Sequence, residues 1–146
     1  MNTNARAIFL DIDGTLIPFG AEAPCEQDRT ALFRARAAGH KVLINTGRSS
    51  GFLPPVLRTA DYLDGFLCGC GTQLIIGGKT LFKQEIPREA LRQVLAYFLE
   101  SPGEGCFFEG ETALLTIQRT HPQGQMLTRA DDFDTRFAGE SVTKLT

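Results

Sequence analysis

Two carboxylates stand one residue apart in Phe9-Leu10-Asp11-Ile12-Asp13-Gly14-Thr15-Leu16, between an apolar run and a glycine. In an extended backbone, residues two apart point the same way, so the side chains of Asp11 and Asp13 are expected to face one small volume. Two like charges held together favour a bound cation or a shared proton. Either suits phosphoryl transfer, in which one carboxylate forms an aspartyl-phosphate while the other handles the proton of the leaving or attacking oxygen. Magnesium fits such a pair, because it prefers hard oxygen ligands and is commonly held by one or two carboxylates together with substrate phosphate. Gly14 permits a sharp turn, and amides exposed there can donate to phosphate oxygens. An Asp-x-Asp pair alone would also fit a calcium-holding turn or a helix cap. What favours phosphate is the setting: an apolar strand before it, Gly-Thr-Leu after it, and a second polar strand end at Asn45-Thr46-Gly47-Arg48. There the Thr46 hydroxyl and the following amides, at Gly47 and Arg48, are candidates for phosphate oxygens. The Arg48 side chain fits a substrate contact and a surface ion pair equally well.

These residues need a frame. Ala7-Ile8-Phe9-Leu10 reads as a strand, Glu26 to Ala38 as a helix preceded by Pro24 and stopped by Gly39, and Val42-Leu43-Ile44 as a second strand. A right-handed crossover makes the strands parallel neighbours. Thr46 is then expected beside Asp11, at the carboxyl ends where open α/β sheets bind ligands. A short helix near Phe52 to Thr59, opened by Pro54-Pro55, leads to a third strand at Phe66-Leu67-Cys68. Gln73 to Ile76 and Lys79 to Lys83 form a hairpin pattern across Gly77-Gly78. From Pro87 the texture changes. The spacing predicts a helix over Arg88 to Glu100, strands near Cys106 to Glu109 and Ala113 to Gln118, a polar unpatterned stretch from His121 to Glu140, and a last β-like run from Ser141 to Leu145.

At these residues the chain resembles the haloacid dehalogenase superfamily, in particular its Cof-type, subclass IIB, sugar-phosphatase-like branch. Phe9 to Leu16 matches the first motif and Ile44-Asn45-Thr46-Gly47-Arg48 the second. The resemblance implies an α/β fold, with residues 1–86 as a Rossmann-like parallel core portion and residues 87–146 as a partial α/β cap. It implies a magnesium-dependent phosphomonoester hydrolase acting on a small phosphorylated metabolite such as a sugar phosphate. Asp11 would be nucleophile and metal ligand; Asp13 would be general acid/base and would give the metal its backbone carbonyl; Thr46 would bind phosphate. Asp64 to Thr72 resembles the strand and turn before the cap, with Cys70 where an asparagine is common. The family's lysine and acidic Gly-Asp motif normally follow the cap, and this sequence is expected to end at Thr146 inside it. Lys144 reads as part of a cap strand, and Asp131, Asp132 and Asp134 read as a solvated turn, since no apolar strand and glycine carry them. Without a fourth strand beside it, the Ala7 to Leu10 strand would be an apolar sheet edge. Something is expected to cover that edge: a homo-oligomer formed by dimerisation or strand exchange, or the C-terminal part rearranged onto it.

Bulk composition excludes other classes. At 146 residues with 42% hydrophobic and 22% charged side chains, the chain has the make-up of a folded, water-soluble protein. A net charge of -2 and the lack of a basic run argue against a nucleic-acid partner. Short, interrupted apolar runs argue against a membrane span, and the sequence reads as cytoplasmic. Four cysteines are too few for a disulfide scaffold and read as reduced thiols. His40 and His121 read as surface residues. Two other functions stay open: a catalytically impaired protein that binds phosphate or a protein partner, and a phosphotransferase of the phosphomutase kind.

Overall fold

β1 (Ala7–Leu10), α1 (Glu26–Ala37) and β2 (Lys41–Asn45) follow the strand, helix, strand order expected from the sequence; the computed structural model describes residues 5–146. Local chemistry bounds α1 at both ends. The Cys25 side chain accepts the Asp28 N–H, Glu26 and Asp28 occupy the first turn, and Arg34 and Arg36 the last, the order of charge that a helix dipole favours. The helix closes in a Schellman motif, with Gly39 N–H donating to Arg36 O at 2.9 Å and His40 N–H to Ala35 O at 3.1 Å. That motif needs a left-handed residue, and Gly39 supplies it with φ 91°.

β1 and β2 pair in parallel, with Ile8 opposite Val42 and Leu10 opposite Ile44. β3 (Gly65–Cys68) joins the other side of β2, also parallel, with Ile44 opposite Phe66. β4 (Gln73–Ile76) and β5 (Lys79–Lys83) add antiparallel, giving the sheet order β1-β2-β3-β4-β5. Gly77 and Gly78 both have positive φ, at 55° and 76°, as a two-residue type I′ hairpin turn demands. β2 lies between two parallel neighbours, and its Val42, Leu43 and Ile44 are all buried, the continuous apolar run expected of a strand covered on both faces. Val42 and Ile44 share a core with Ile12, Leu53, Leu57 and Cys68. β1 is a sheet edge, and Phe9 on it is 53% exposed.

The helix expected near Phe52 to Thr59 is in fact two pieces, a 3₁₀ turn at Ser50–Phe52 and α2 (Pro55–Arg58). The prolines cause the break. A residue that precedes proline is pushed out of the α region, and Leu53 and Pro54 have ψ of 136° and 132°.

At the amino end of β2 a side chain completes the ladder. Asp64, one residue before β3 begins, accepts the Val42 N–H at 2.9 Å and pairs with Lys41 and Arg36 at 3.1 and 3.2 Å. The carboxylate thus stands in for a strand carbonyl that is not yet there. Burial works against its charge, but the Val42, Lys41 and Arg36 bonds prevail and hold the carboxyl below the usual carboxylate range.

The chain divides into two compact units, one ending at Lys83 and one spanning Gln84–Thr146. The second is a four-stranded sheet, order β8-β7-β6-β9, built from β6 (Cys106–Gly110), β7 (Leu114–Ile117), β8 (Gly124–Met126) and β9 (Val142–Leu145). The amphipathic α3 (Arg88–Glu100) buries Leu91 and Leu95 in a core with Phe108, Leu115, Ile117 and Val142. The stretch from His121 to Glu140, unpatterned in sequence, holds β8 and the single-turn α4 (Asp132–Thr135). Asp132 is not solvated there. It is buried and accepts the Thr128 and Arg129 amides at 2.8 and 3.1 Å, beside fully buried Leu127 and Phe133. Among the described residues, no helix is long and apolar enough to cross a membrane.

Candidate active site

β1 stops at Leu10, and the next seven residues fold into a turn that presents the two aspartates. Leu16 N–H donates to Asp11 O at 3.2 Å, Ile17 N–H to Ile12 O at 2.9 Å, and Gly14 N–H to Ile17 O at 2.9 Å. Gly14 enables this with φ 75°. Ile12 is 1% exposed while its neighbours Asp11 and Asp13 are exposed, so the inner residue anchors the turn in the core and both carboxylates stand on the outer side. The Gly14 amide, a candidate phosphate donor in the sequence, is spent on Ile17. Neither the N–H nor the carbonyl of Asp13 takes part in the turn's hydrogen bonds.

The two carboxylates have different surroundings. Asp13 is gripped by Arg48 through two parallel bonds, Nη2 to Oδ1 at 2.7 Å and Nε to Oδ2 at 2.9 Å, a geometry specific to guanidinium and carboxylate. The Arg48 hydrogen bond holds the Asp13 carboxyl below its ordinary range, outweighing a small desolvation penalty, and the same bond raises the guanidinium pKa. Asp11 makes no side-chain hydrogen bond or ion pair among the described residues, although its charge also adds to the field at Arg48. Arg48 is itself fixed: its Nη1 donates to Phe52 O at 3.1 Å, and its amide donates to Thr46 Oγ1 at 3.2 Å. Of the two roles open to Arg48 in the sequence, this structure shows the ion pair.

Thr46 is 3% exposed, with its hydroxyl turned into its own loop. Its amide donates to Leu67 O at 2.9 Å, and its carbonyl accepts the Cys70 amide at 3.2 Å, while Arg48 O accepts the Gly69 amide at 2.8 Å. These bonds tie the loop after β2 to the loop after β3, and the Arg48–Asp13 pair adds the loop after β1, at the carboxyl end of the sheet, where α/β folds place ligands. Gly47 is exposed, and a Cβ added there would lie 3.6 Å from Cys70 Sγ. Cys70 has φ 58°, a conformation that asparagine adopts far more readily than cysteine.

Hard-oxygen donors suited to magnesium are present: the unengaged Asp11 carboxylate and the unengaged Asp13 carbonyl. Among the described residues, no group of three or more His, Cys, Asp or Glu side chains could hold a metal by itself. Lys144 on β9 pairs with Glu109 at 2.8 Å, and Asp134 pairs with Arg92 at 2.8 Å. A cleft of about 570 Å³, which no local pattern announces, lies beside the turn, lined by Asp13, Arg48, Phe19 and Pro54 among others.

Comparison with known proteins matches residues 8–143 to the family described as haloacid dehalogenase-like hydrolase. A Bacillus subtilis (strain 168) protein, YkrA, provisionally described as a phosphatase, is 27% identical over 119 residues, which is 82% of this chain and 45% of YkrA. The subclass IIB sugar phosphatase BT4131 superposes with a TM-score of 0.63 at 25% identity, over 96% of this chain and 51% of its own. BT1666 of Bacteroides thetaiotaomicron, from a study of phosphatases in the same superfamily, superposes with a TM-score of 0.71 at 22% identity, over 89% and 52%. The chain spans about half the length of these relatives.

Proposed function

Since the chain belongs to the haloacid dehalogenase-like hydrolases, we propose that its first unit carries the nucleophile half of a phosphomonoesterase, with Asp11 attacking the phosphorus of a small phosphorylated metabolite such as a sugar phosphate. The observation that carries this reading is the contrast within the pair: Asp11 exposed and, among the described residues, without a side-chain bond, Asp13 locked to Arg48. A carboxylate free of hydrogen bonds keeps its lone pairs available for attack, while its neighbour is held in place.

In the first step the Asp11 carboxylate forms a bond to phosphorus as the ester oxygen leaves and takes a proton from Asp13. In the second, water attacks the aspartyl-phosphate and gives its proton to Asp13, releasing phosphate and regenerating Asp11. An ionised, Arg48-bound Asp13 suits the second step directly. For the first, an incoming phosphate dianion competes with Asp13 for the same guanidinium and so frees the carboxyl to hold a proton. The Gly47 amide would bind a phosphate oxygen; the Arg48 amide and the Thr46 hydroxyl, bonded to each other in this structure, would have to exchange that bond for one to phosphate. Magnesium would be held by the Asp11 carboxylate and the Asp13 carbonyl; when bound it offsets the repulsion between the carboxylate and the phosphate. Residues 87–146 are proposed as an α/β cap, in line with the likeness to BT4131.

The test is phosphate release from a panel of sugar phosphates in magnesium buffer, by the full chain and by Asp11→Asn. The expected result is release by the parent chain alone. Equal rates above background would refute the assignment of Asp11, and background rates in both proteins would leave phosphate binding without turnover.

A further inference from the structure

The chemistry above leaves the cleft beside Asp13 unused. Its lining is mostly apolar and includes two exposed apolar stretches. One is Phe19, 87% exposed. The ring is nevertheless placed: a Cβ added to Gly14 would stand 2.6 Å from Phe19 Cε2, so the ring lies against the turn that follows Asp13. The Pro18–Ala21 turn, closed by Ala21 N–H to Pro18 O at 3.0 Å with Gly20 at φ 84°, fixes the backbone on both sides of it. The other is Pro54, Pro55 and Val56, at the start of α2, with Val56 38% exposed. Two apolar walls held open to water beside a pair of carboxylates mark a surface kept for a ligand.

Position says which part of the ligand. A phosphoryl group on Asp11 must direct its leaving oxygen toward Asp13, and the cleft is lined by Asp13 itself. Charge narrows the choice further. Asp13 and Arg48 neutralise each other, leaving Glu22 as the uncompensated charge on the lining. Glu22 accepts hydroxyl or amino hydrogens and repels anions. We propose that this cleft is the leaving-group subsite and that Phe19 selects phosphomonoesters whose leaving group is a ring with a flat apolar face and no second negative charge. The proposal rests on Asp11 as the nucleophile.

Phosphonates test it without turnover, because they contain no ester bond to break. Binding of methylphosphonate, propylphosphonate and benzylphosphonate to the full chain is measured by calorimetry in magnesium buffer. Benzylphosphonate is expected to bind about tenfold more tightly than methylphosphonate, the advantage an aromatic contact gives. Phe19→Ala should reduce that ratio to about twofold while leaving methylphosphonate binding unchanged, and Phe19→Trp should keep it. Propylphosphonate matching benzylphosphonate would overturn the ring preference. Equal weakening of all three ligands by Phe19→Ala would overturn the subsite. If methylphosphonate does not bind at all, the phosphoryl site fails first and the subsite falls with it.

Discussion

Replacing Asp64 by alanine removes the group that completes the β2 ladder, and the cost can be built from its contacts. Val42 is fully buried and its N–H has Asp64 as acceptor at 2.9 Å. Orphaning a buried amide costs about 1–3 kcal/mol. The bonds to Arg36 and Lys41 involve side chains that are 36% and 70% exposed, so each adds only about 0.2–1 kcal/mol. A total near 2–4 kcal/mol corresponds to a fall of roughly 5–10 °C in the melting midpoint for a chain of this size. Asp64→Asn keeps an acceptor and should lose only the charged part, on the order of 1 kcal/mol. The pH dependence has a fixed sign. Because the native carboxyl is held below its ordinary value, its contribution is present above about pH 4 and is lost as pH falls through the depressed native value. Thermal melts of the parent and both variants between pH 2.5 and 7, with hydrogen exchange at the Val42 amide, measure all of this. A midpoint for Asp64→Ala within about 1 °C of the parent, with the Val42 amide still protected, would show that the carboxylate does not replace a strand carbonyl.

Three further outcomes follow from the same structure. Arg48→Ala should raise the titration midpoint of the Asp13 carboxyl toward the ordinary value, as read by carboxyl carbon NMR. With side chains 41% and 45% exposed, the pair should contribute under about 1 kcal/mol of stability above pH 4, fading as pH drops through the native midpoint; identical Asp13 midpoints in both proteins would refute it. Gly65→Ala puts a Cβ 2.2 Å from Ile75 O across the β3–β4 ladder, and should destabilise by about 1–3 kcal/mol in a urea melt. A disulfide reagent at pH 8 should label Cys25 and Cys70, both exposed, and spare Cys106 and Cys68. Burial pushes the Cys68 thiol up to about 11 and raises that of Cys106. Four fast thiols in the native chain would contradict that burial.

Where the sequence read clearly, a local rule sufficed. Gly39 and the charge order of α1 announce a Schellman-capped helix, the paired glycines announce an I′ turn, and the apolar run of β2 announces a covered parallel strand. Asp11 and Asp13 were legible because Ile12 between them must point into the core. The remainder depended on contacts distant in sequence. The Asp13–Arg48 pair spans 35 positions, and nothing near either residue chooses between a substrate and an ion pair. β8 and α4 are too short to show a period; β8 exists because its three residues find β7, with Leu115 opposite Gln125. Asp132 looked like a turn residue because its partners, the Thr128 and Arg129 amides, are backbone groups that composition does not reveal.

The bonds that tie the three loops together, Thr46 to Leu67, Thr46 to Cys70, Arg48 to Gly69 and Arg48 to Asp13, all close within the first 70 residues. A ribosome adds about 5–20 residues per second, so the second unit, from Gln84 to Thr146, takes several seconds more to synthesise. Helix and loop closure need microseconds or less. The order of synthesis therefore favours a nascent chain in which the carboxylate pair and its arginine meet before the last strands have left the tunnel.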